Sequence, residues 1–217
     1  RTPVAAIRVA VETLSKMNFA EETVAATRFV GVIARQAARL EALVSDLLDL
    51  ARVESPAGRF EPAVLYLQRV VDELRVRWDE EIKTKELCWR AVVDADASQV
   101  TANAHLLCLV LDNLVDNAIK FTPRGGEILV RTCAVADRVV IEVSDTGCGI
   151  PLVDQQRVFE RFYQVDVVRT GTGSDKRGTG LGLSIVRHAV AAMGGTVSLA
   201  STAGVGTRVT LGLPRRT

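Results

Sequence analysis

Two glycine loops about thirty residues apart, Asp145-Thr-Gly-Cys-Gly149 and Gly178-Thr-Gly-Leu-Gly182, constrain this chain of 217 residues more than any other feature. Glycine allows sharp turns and close approach of another group to the backbone, so one such pair alone marks only a turn. Here the strand-like run Val139-Val-Ile-Glu-Val143 delivers a carboxylate, Asp145, into the first loop, and the second loop opens a segment with helical spacing. Together with Asn113 to Lys120 upstream, they outline a pocket for a nucleotide and its metal.

The first ~55 residues read as two helices. Val4, Ile7, Val11 and Leu14 recur at helical spacing, and Phe29, Ile33, Gln36, Leu40, Leu43, Leu47 and Leu50 alternate steps of four and three, the seam of a helical bundle. Asn18 to Glu22 is the expected turn. The second helix is about twice as long as the first, so Leu43, Leu47 and Leu50 need cover from upstream residues or a second protomer. Half of a dimeric four-helix bundle is the expectation, with an internal core as the alternative.

Ser55-Pro-Ala-Gly58 breaks the helix and opens a linker over residues 56–66. Beyond it, Leu67–Trp78 and Leu106–Lys120 carry helical periodicity, and Leu87–Val93 reads as a strand. Ile128–Thr132 and Val139–Val143 form an apparent hairpin, and a helix near Ile185–Met193 precedes strands at Thr196–Leu199 and Arg208–Leu213. Residues 67–217 thus read as an α/β sandwich, and the whole chain as α+β with an N-terminal helical hairpin over residues 1–55.

Lys and Arg number 27 against 26 Asp and Glu, which leaves no basic field for nucleic acid. The apolar run Leu106–Leu111 is far short of the roughly 20 residues that span a bilayer. Cys88, Cys108, Cys133 and Cys148 are dispersed without a CxxC pair, as expected of reduced thiols in a cytoplasmic protein. The chain opens at Arg1 without methionine or signal pattern, so a piece of a longer protein is expected.

Asn113 and Asn117 are four apart, so their amides share a helix face, and Lys120 follows on nearly the same face. Two amide oxygens suit magnesium shared with phosphates, and the ammonium suits a phosphate, although one asparagine could instead bridge helices. Asp145, at a strand end, can accept from an exocyclic amine and so favour adenine over guanine; a plain Asp-Thr-Gly turn is the alternative. Gly178, Gly180 and Gly182 run into a helix start, where amides and the dipole favour phosphate. No Gly-Lys-Ser or Gly-Lys-Thr follows, which excludes a Walker loop, and the late position disfavours a dinucleotide fold. Between the loops, residues 164–177 are polar and fit a lid with Arg169, Lys176 and Arg177 facing phosphate or simply solvent.

The chain resembles the kinase core of a bacterial two-component sensor histidine kinase. Asn113-Leu-Val-Asp-Asn-Ala-Ile-Lys-Phe-Thr122 is similar to the family's asparagine box, Asp145-Thr-Gly-Cys-Gly-Ile-Pro151 to its first glycine box, Val158-Phe-Glu-Arg-Phe-Tyr163 to its phenylalanine box and Gly178 to Leu183 to its second glycine box. Gly204-Val-Gly-Thr207 looks like the closing glycine motif. Four ordered boxes make the match specific, and it covers nearly the whole chain.

The resemblance implies a catalytic domain of the GHKL ATPase type that binds ATP and Mg2+. It assigns Asn113 and Asn117 to the metal; Lys120, Phe121, Gly147 and Gly149 to the nucleotide; Asp145 to the adenine amine, with Thr207 nearby; and Gly178, Thr179, Gly180, Leu181 and Gly182 to the phosphates. Relatives often have Tyr at the position of Phe121 and Arg at that of Gln164; the second change removes a phosphate contact unless Arg161 or Arg169 replaces it.

Arg1-Thr2-Pro3 matches the second half of the phosphoacceptor motif His-Glu-Leu-Arg-Thr-Pro, which would put the acceptor histidine just before Arg1 and give Thr2 a water-orienting role in dephosphorylation. His105 and His188 lie outside that motif. The function implied is transfer of the γ-phosphoryl of Mg-ATP to that histidine and on to a response-regulator aspartate, with phosphatase activity as well. The partners implied are a second copy through the hairpin and a receiver domain, with no nucleic acid; the location is cytoplasmic, on a parent anchored upstream in the inner membrane. A non-catalytic ATP-binding scaffold is an alternative. A GHKL-type ATPase is disfavoured, because its water-activating glutamate falls where Asn113 stands, and an amide is a poor base.

Overall fold

In the computed structural model, residues 3–17, 23–54, 61–165 and 178–215 are described. The chain divides into two compact units, Arg1–Asp49 and Leu50–Thr217.

The first unit holds α1 (Pro3–Leu14) and most of α2 (Thr23–Glu54). Pro3 stands at the first helical position, where its missing N–H costs nothing and its fixed φ is already helical. Ala10 and Ala26 are buried, small side chains that let backbones come close. Along α2 the seam residues Phe29, Ile33, Gln36, Leu40 and Leu43 are half-buried and Leu47 is exposed, while the intervening positions are mostly exposed. The expected turn at Asn18 to Glu22 and the site residue Thr2 lie outside the described residues.

Leu50 departs from the expectation that it waits for an outside partner. It falls in the second unit and is 3% exposed within this single chain, and Val53 joins that unit's apolar core.

The second unit is a five-stranded sheet covered on one face by helices. Its strands are β2 (Cys88–Val93), β4 (Glu127–Val135), β5 (Arg138–Asp145), β6 (Thr196–Thr202) and β7 (Gly206–Pro214), in the order β2-β4-β5-β7-β6. Only the β2–β4 pair is parallel. Ile128, Val130, Val139, Ile141, Val143, Val209 and Leu211 alternate along their strands and turn inward. Against them lie α3 (Leu67–Arg77), α5 (Ala104–Phe121) and α7 (Gly182–Ala192), which contribute Val71, Leu74, Leu107, Val110, Leu114, Val186 and Val190. Between α3 and β2 runs α4 (Asp79–Thr84), which buries Ile82, and after β5 comes the single-turn α6 (Leu152–Gln155).

Two short strands, β1 (Ala63–Tyr66) and β3 (Gln99–Ala102), pair antiparallel in a second sheet. Residues 63–66 therefore form a strand where the composition suggests only linker. The segment is too short to show a period, and Val64 and Tyr66 face outward. Asn103 caps α5, its side-chain Oδ1 accepting from Leu106 N at 2.8 Å and so satisfying one of the amides that the first turn leaves open.

Candidate functional site

Helix α5 separates two jobs by face. Leu107, Val110, Leu111, Leu114 and Ala118 are buried in the core, and Asn113, Asp116, Asn117 and Lys120 occupy the half-exposed remainder. Asn113 Nδ2 donates to Leu109 O at 2.8 Å, which leaves its Oδ1 directed at the start of α7. A Cβ on Gly182 would come within 2.7 Å of that oxygen and 3.8 Å of Asn117 Nδ2. The first residue of α7 is thus a glycine because the asparagine amides meet the helix there. Lys120 Nζ donates to Asp116 Oδ2 at 2.5 Å, one turn back along α5.

The end of α5 is held by a residue to which the sequence gives no signal. Lys85 Nζ donates to the carbonyl oxygens of Ile119, Lys120 (3.2 Å) and Thr122 (3.0 Å), satisfying acceptors that the helix leaves open. Phe121 O in turn accepts from Cys148 N at 3.3 Å, which ties the helix end to the first glycine loop.

That loop starts where β5 ends. Asp145 stands opposite Thr207 on β7, and its Oδ1 accepts from Gly147 N at 2.7 Å. Burial raises the Asp145 carboxyl to about 6, against backbone hydrogen bonds from Gly147 and Thr207 that lower it. A Cβ on Gly147 would lie 2.6 Å from Asp145 Oδ1 and 2.8 Å from Phe121 O, so a side chain at 147 would displace both. Gly149, at φ +65°, lies against β6, where a Cβ would overlap Thr202 O.

The second glycine loop leans on the phenylalanine box. Phe162 N donates to Gly180 O at 2.8 Å, and Gln164 Nε2 to Gly178 O at 2.9 Å. The sequence treats Gln164 as a phosphate ligand lost; in the structure its amide bridges the two strands of chain that flank residues 166–177. Leu181 is fully buried, so only its backbone faces the loop side, and Leu181 N donates to Thr179 Oγ1 at 3.2 Å. Arg161 ion-pairs with Glu54, whose carboxylate also lies 3.2 Å from His188 Nε2. Residues 166–177, with Arg169, Lys176 and Arg177, lie outside the described residues.

The residues singled out in the sequence therefore fall into two groups that α5 spans. Asn113 and Asn117 meet Gly182 at the end of the site that lies midway along α5, and Phe121, Gly147, Asp145 and Thr207 adjoin one another at the end that lies by its C-terminus. The donor set at the first end suits magnesium, which takes oxygen ligands and shares them with phosphate; among the described residues no group of three His, Cys, Asp or Glu offers an all-protein alternative.

Residues 102–217 match the family of histidine kinase-, DNA gyrase B- and HSP90-like ATPases. The chain belongs to that family. Residues 1–56 match the His Kinase A phospho-acceptor domain, so the two segments in this order form the kinase core of a two-component sensor histidine kinase. The kinase core is 36% identical over 217 residues to drug sensory protein A of Synechocystis sp., covering 95% of this chain and 32% of that protein. It is 32% identical over 222 residues to sensor histidine kinase WalK of Bacillus subtilis, covering 99% and 34%. It spans about a third of the length of these curated relatives. Its fold is that of histidine kinase ThkA, solved in complex with response regulator TrrA, at a TM-score of 0.77, with 22% identity and 99% of this chain and 58% of that one covered. No helix among the described residues is long and apolar enough to cross a membrane.

Proposed function

We propose that the second unit binds Mg-ATP and donates its γ-phosphoryl to the histidine of the motif that Arg1-Thr2-Pro3 ends, from which a response-regulator aspartate takes it. The observation that carries the reading is the meeting of Asn113 and Asn117 with the start of α7 at Gly182. A helix N-terminus presents unpaired N–H groups and positive potential to an anion, and here two amides stand against it.

Asn113 and Asn117 hold the metal, which supplies charge neutralisation to the phosphates when bound. Lys120 moves from Asp116 to a phosphate oxygen. The backbone of Gly178 to Gly182 cradles the remaining oxygens. At the far end the Asp145 carboxylate accepts from the adenine amine, with Thr207 beside it and Phe121 along the base. A guanine would offer a carbonyl oxygen there, facing another acceptor, which sets the preference for ATP. These groups contribute alignment and electrostatics, the main requirements of phosphoryl transfer.

The match of residues 1–56 to a phospho-acceptor domain supports pairing with a second copy through the half-buried seam Phe29, Ile33, Leu40 and Leu43, and with a receiver domain. Thr2 orients water for dephosphorylation. The site works on the cytoplasmic side of the membrane that anchors the parent protein.

Incubating a chain that carries the complete His-Glu-Leu-Arg-Thr-Pro motif with γ-labelled ATP tests the reading. Acid-labile label on the histidine, passed to a receiver domain and absent with Asn113→Ala, is the expected result. ATP bound without any label transferred would make the protein a scaffold.

A further inference from the structure

Asp154 is a buried acid outside every group assigned above, only 5% exposed on the single-turn helix α6. Its Oδ1 accepts from the Tyr163 hydroxyl at 2.5 Å, the short separation typical of an O–H donor on a carboxylate. Burying a carboxylate is costly without such a donor, so the position is specified rather than incidental.

Both ends of this contact are anchored. On the Asp154 side, α6 is tied to the sheet: Gln155 Nε2 donates to Ile150 O at 2.9 Å and to Ser201 O at 2.8 Å, and Ile150 N donates to Ser201 Oγ at 2.8 Å, Ser201 being on β6. On the Tyr163 side, the Arg157 guanidinium lies 4.2 Å from the ring centroid and fixes the ring from its face. Phe162 takes the left-handed conformation, φ +62°, uncommon for a bulky residue, and this turn aims its N–H at Gly180 O, 2.8 Å away. Gly180 in turn is at φ +78°, and a Cβ there would meet Phe162 C at 2.7 Å and Tyr163 O at 2.9 Å. The second glycine loop therefore rests directly on the Phe162–Tyr163 backbone, with no side chain between them.

We infer that Asp154 is a positioning residue for the second glycine loop, acting through Tyr163. The path runs from the sheet at Ser201 through α6 to Asp154, across the hydroxyl to Tyr163, and along one peptide to Gly180. Loss of the hydroxyl removes the tie between α6 and Tyr163 and lets Tyr163 move from its position, so Gly180 shifts with it. The inference rests on the proposed use of Gly178 to Gly182 for phosphate. It separates the two ends of the site: the phosphate end depends on the strut, and the base end at Asp145 does not.

Calorimetric titration of the full chain with ATP, and NMR titration with adenosine, test this in Tyr163→Phe, Asp154→Ala and Asp154→Asn. Asparagine keeps an oxygen for the hydroxyl and serves as the conservative rescue. The first two variants are expected to weaken Mg-ATP about tenfold, the loss typical of a hydrogen bond to a charged group, and to leave adenosine within about twofold. Asp154→Asn is expected to retain most of the ATP affinity. Equal loss for ATP and adenosine, or no loss for ATP in either of the first two variants, would overturn the inference while leaving the site. Failure of the unaltered chain to bind ATP would overturn the nucleotide reading itself, and this inference with it.

Discussion

Asp145 and Thr207 are cross-strand partners at the end of the β5–β7 ladder, which sets the Thr207 backbone where it opposes the rise that burial gives the Asp145 carboxyl. The register fixes Asp145 against Thr207 of the Gly204–Thr207 segment, some sixty residues later in the chain. Gly206, at φ +147°, makes this possible: a Cβ there would lie 2.0 Å from Asp145 O.

The raised carboxyl of Asp145 makes the unliganded protein sensitive to pH. Its folded value of about 6 lies above the ordinary 3.8, so the ionised form costs folding energy, fully above pH 6 and vanishing as pH falls toward 4. The cost is on the order of 3 kcal/mol. Asp145→Asn is therefore expected to raise the urea midpoint at pH 8 and to leave it nearly unchanged at pH 4. A lower midpoint at pH 8 would contradict this.

Base binding should couple to the same proton. If adenosine binds the ionised carboxylate, its binding near pH 6 releases a fraction of a proton, whereas at pH 8 none is left to release. Calorimetry in two buffers of different ionisation enthalpy reads the release directly. Adenosine has no phosphate to confuse the count, and Asp145→Asn is expected to abolish the buffer dependence.

Gly182→Ala is expected to spare the fold and damage the metal end. Alanine favours the first turn of α7, but its Cβ meets Asn113 Oδ1 at 2.7 Å, and that side chain must turn away. A tenfold or greater loss of Mg-ATP affinity is expected, about 1.4 kcal/mol, with the thermal midpoint unchanged or higher. Unchanged affinity would remove the asparagine–glycine meeting from the account.

Lys85→Met leaves the last carbonyls of α5 without their ammonium. A loss of about 2 kcal/mol in urea unfolding is expected, because three acceptors and a favourable helix-end charge go together. Lys85→Arg should recover part of it.

Much of this site is legible in the sequence because its chemistry is local. Asn113, Asn117 and Lys120 show their common face through helical spacing, and Asp145 and Gly147 sit in one tight loop. What the sequence withholds depends on tertiary approach. Lys85 lies in a charged run and reveals its cap only when the turn before β2 folds over the end of α5. Gln164 reads as a ligand lost until Gly178 is seen beside it. Leu50 fits the α2 seam by spacing, yet it is buried in the second unit, because the heptad period continues past the point where the helix changes neighbours. Strands β1 and β3, four residues each, are too short to carry a period of two.

If one site joins an adenine end at Asp145 to a metal end at Asn113, the choice of base and the need for magnesium belong to the same binding event. The deciding measurement is calorimetric titration of the full chain with ATP and with GTP, each with and without magnesium, beside Asp145→Ala and Asn113→Ala. The expected results are ATP binding that needs magnesium, no comparable binding of GTP, loss of the preference with Asp145→Ala and loss of the magnesium dependence with Asn113→Ala. Equal binding of ATP and GTP, or ATP binding indifferent to both substitutions, would contradict it.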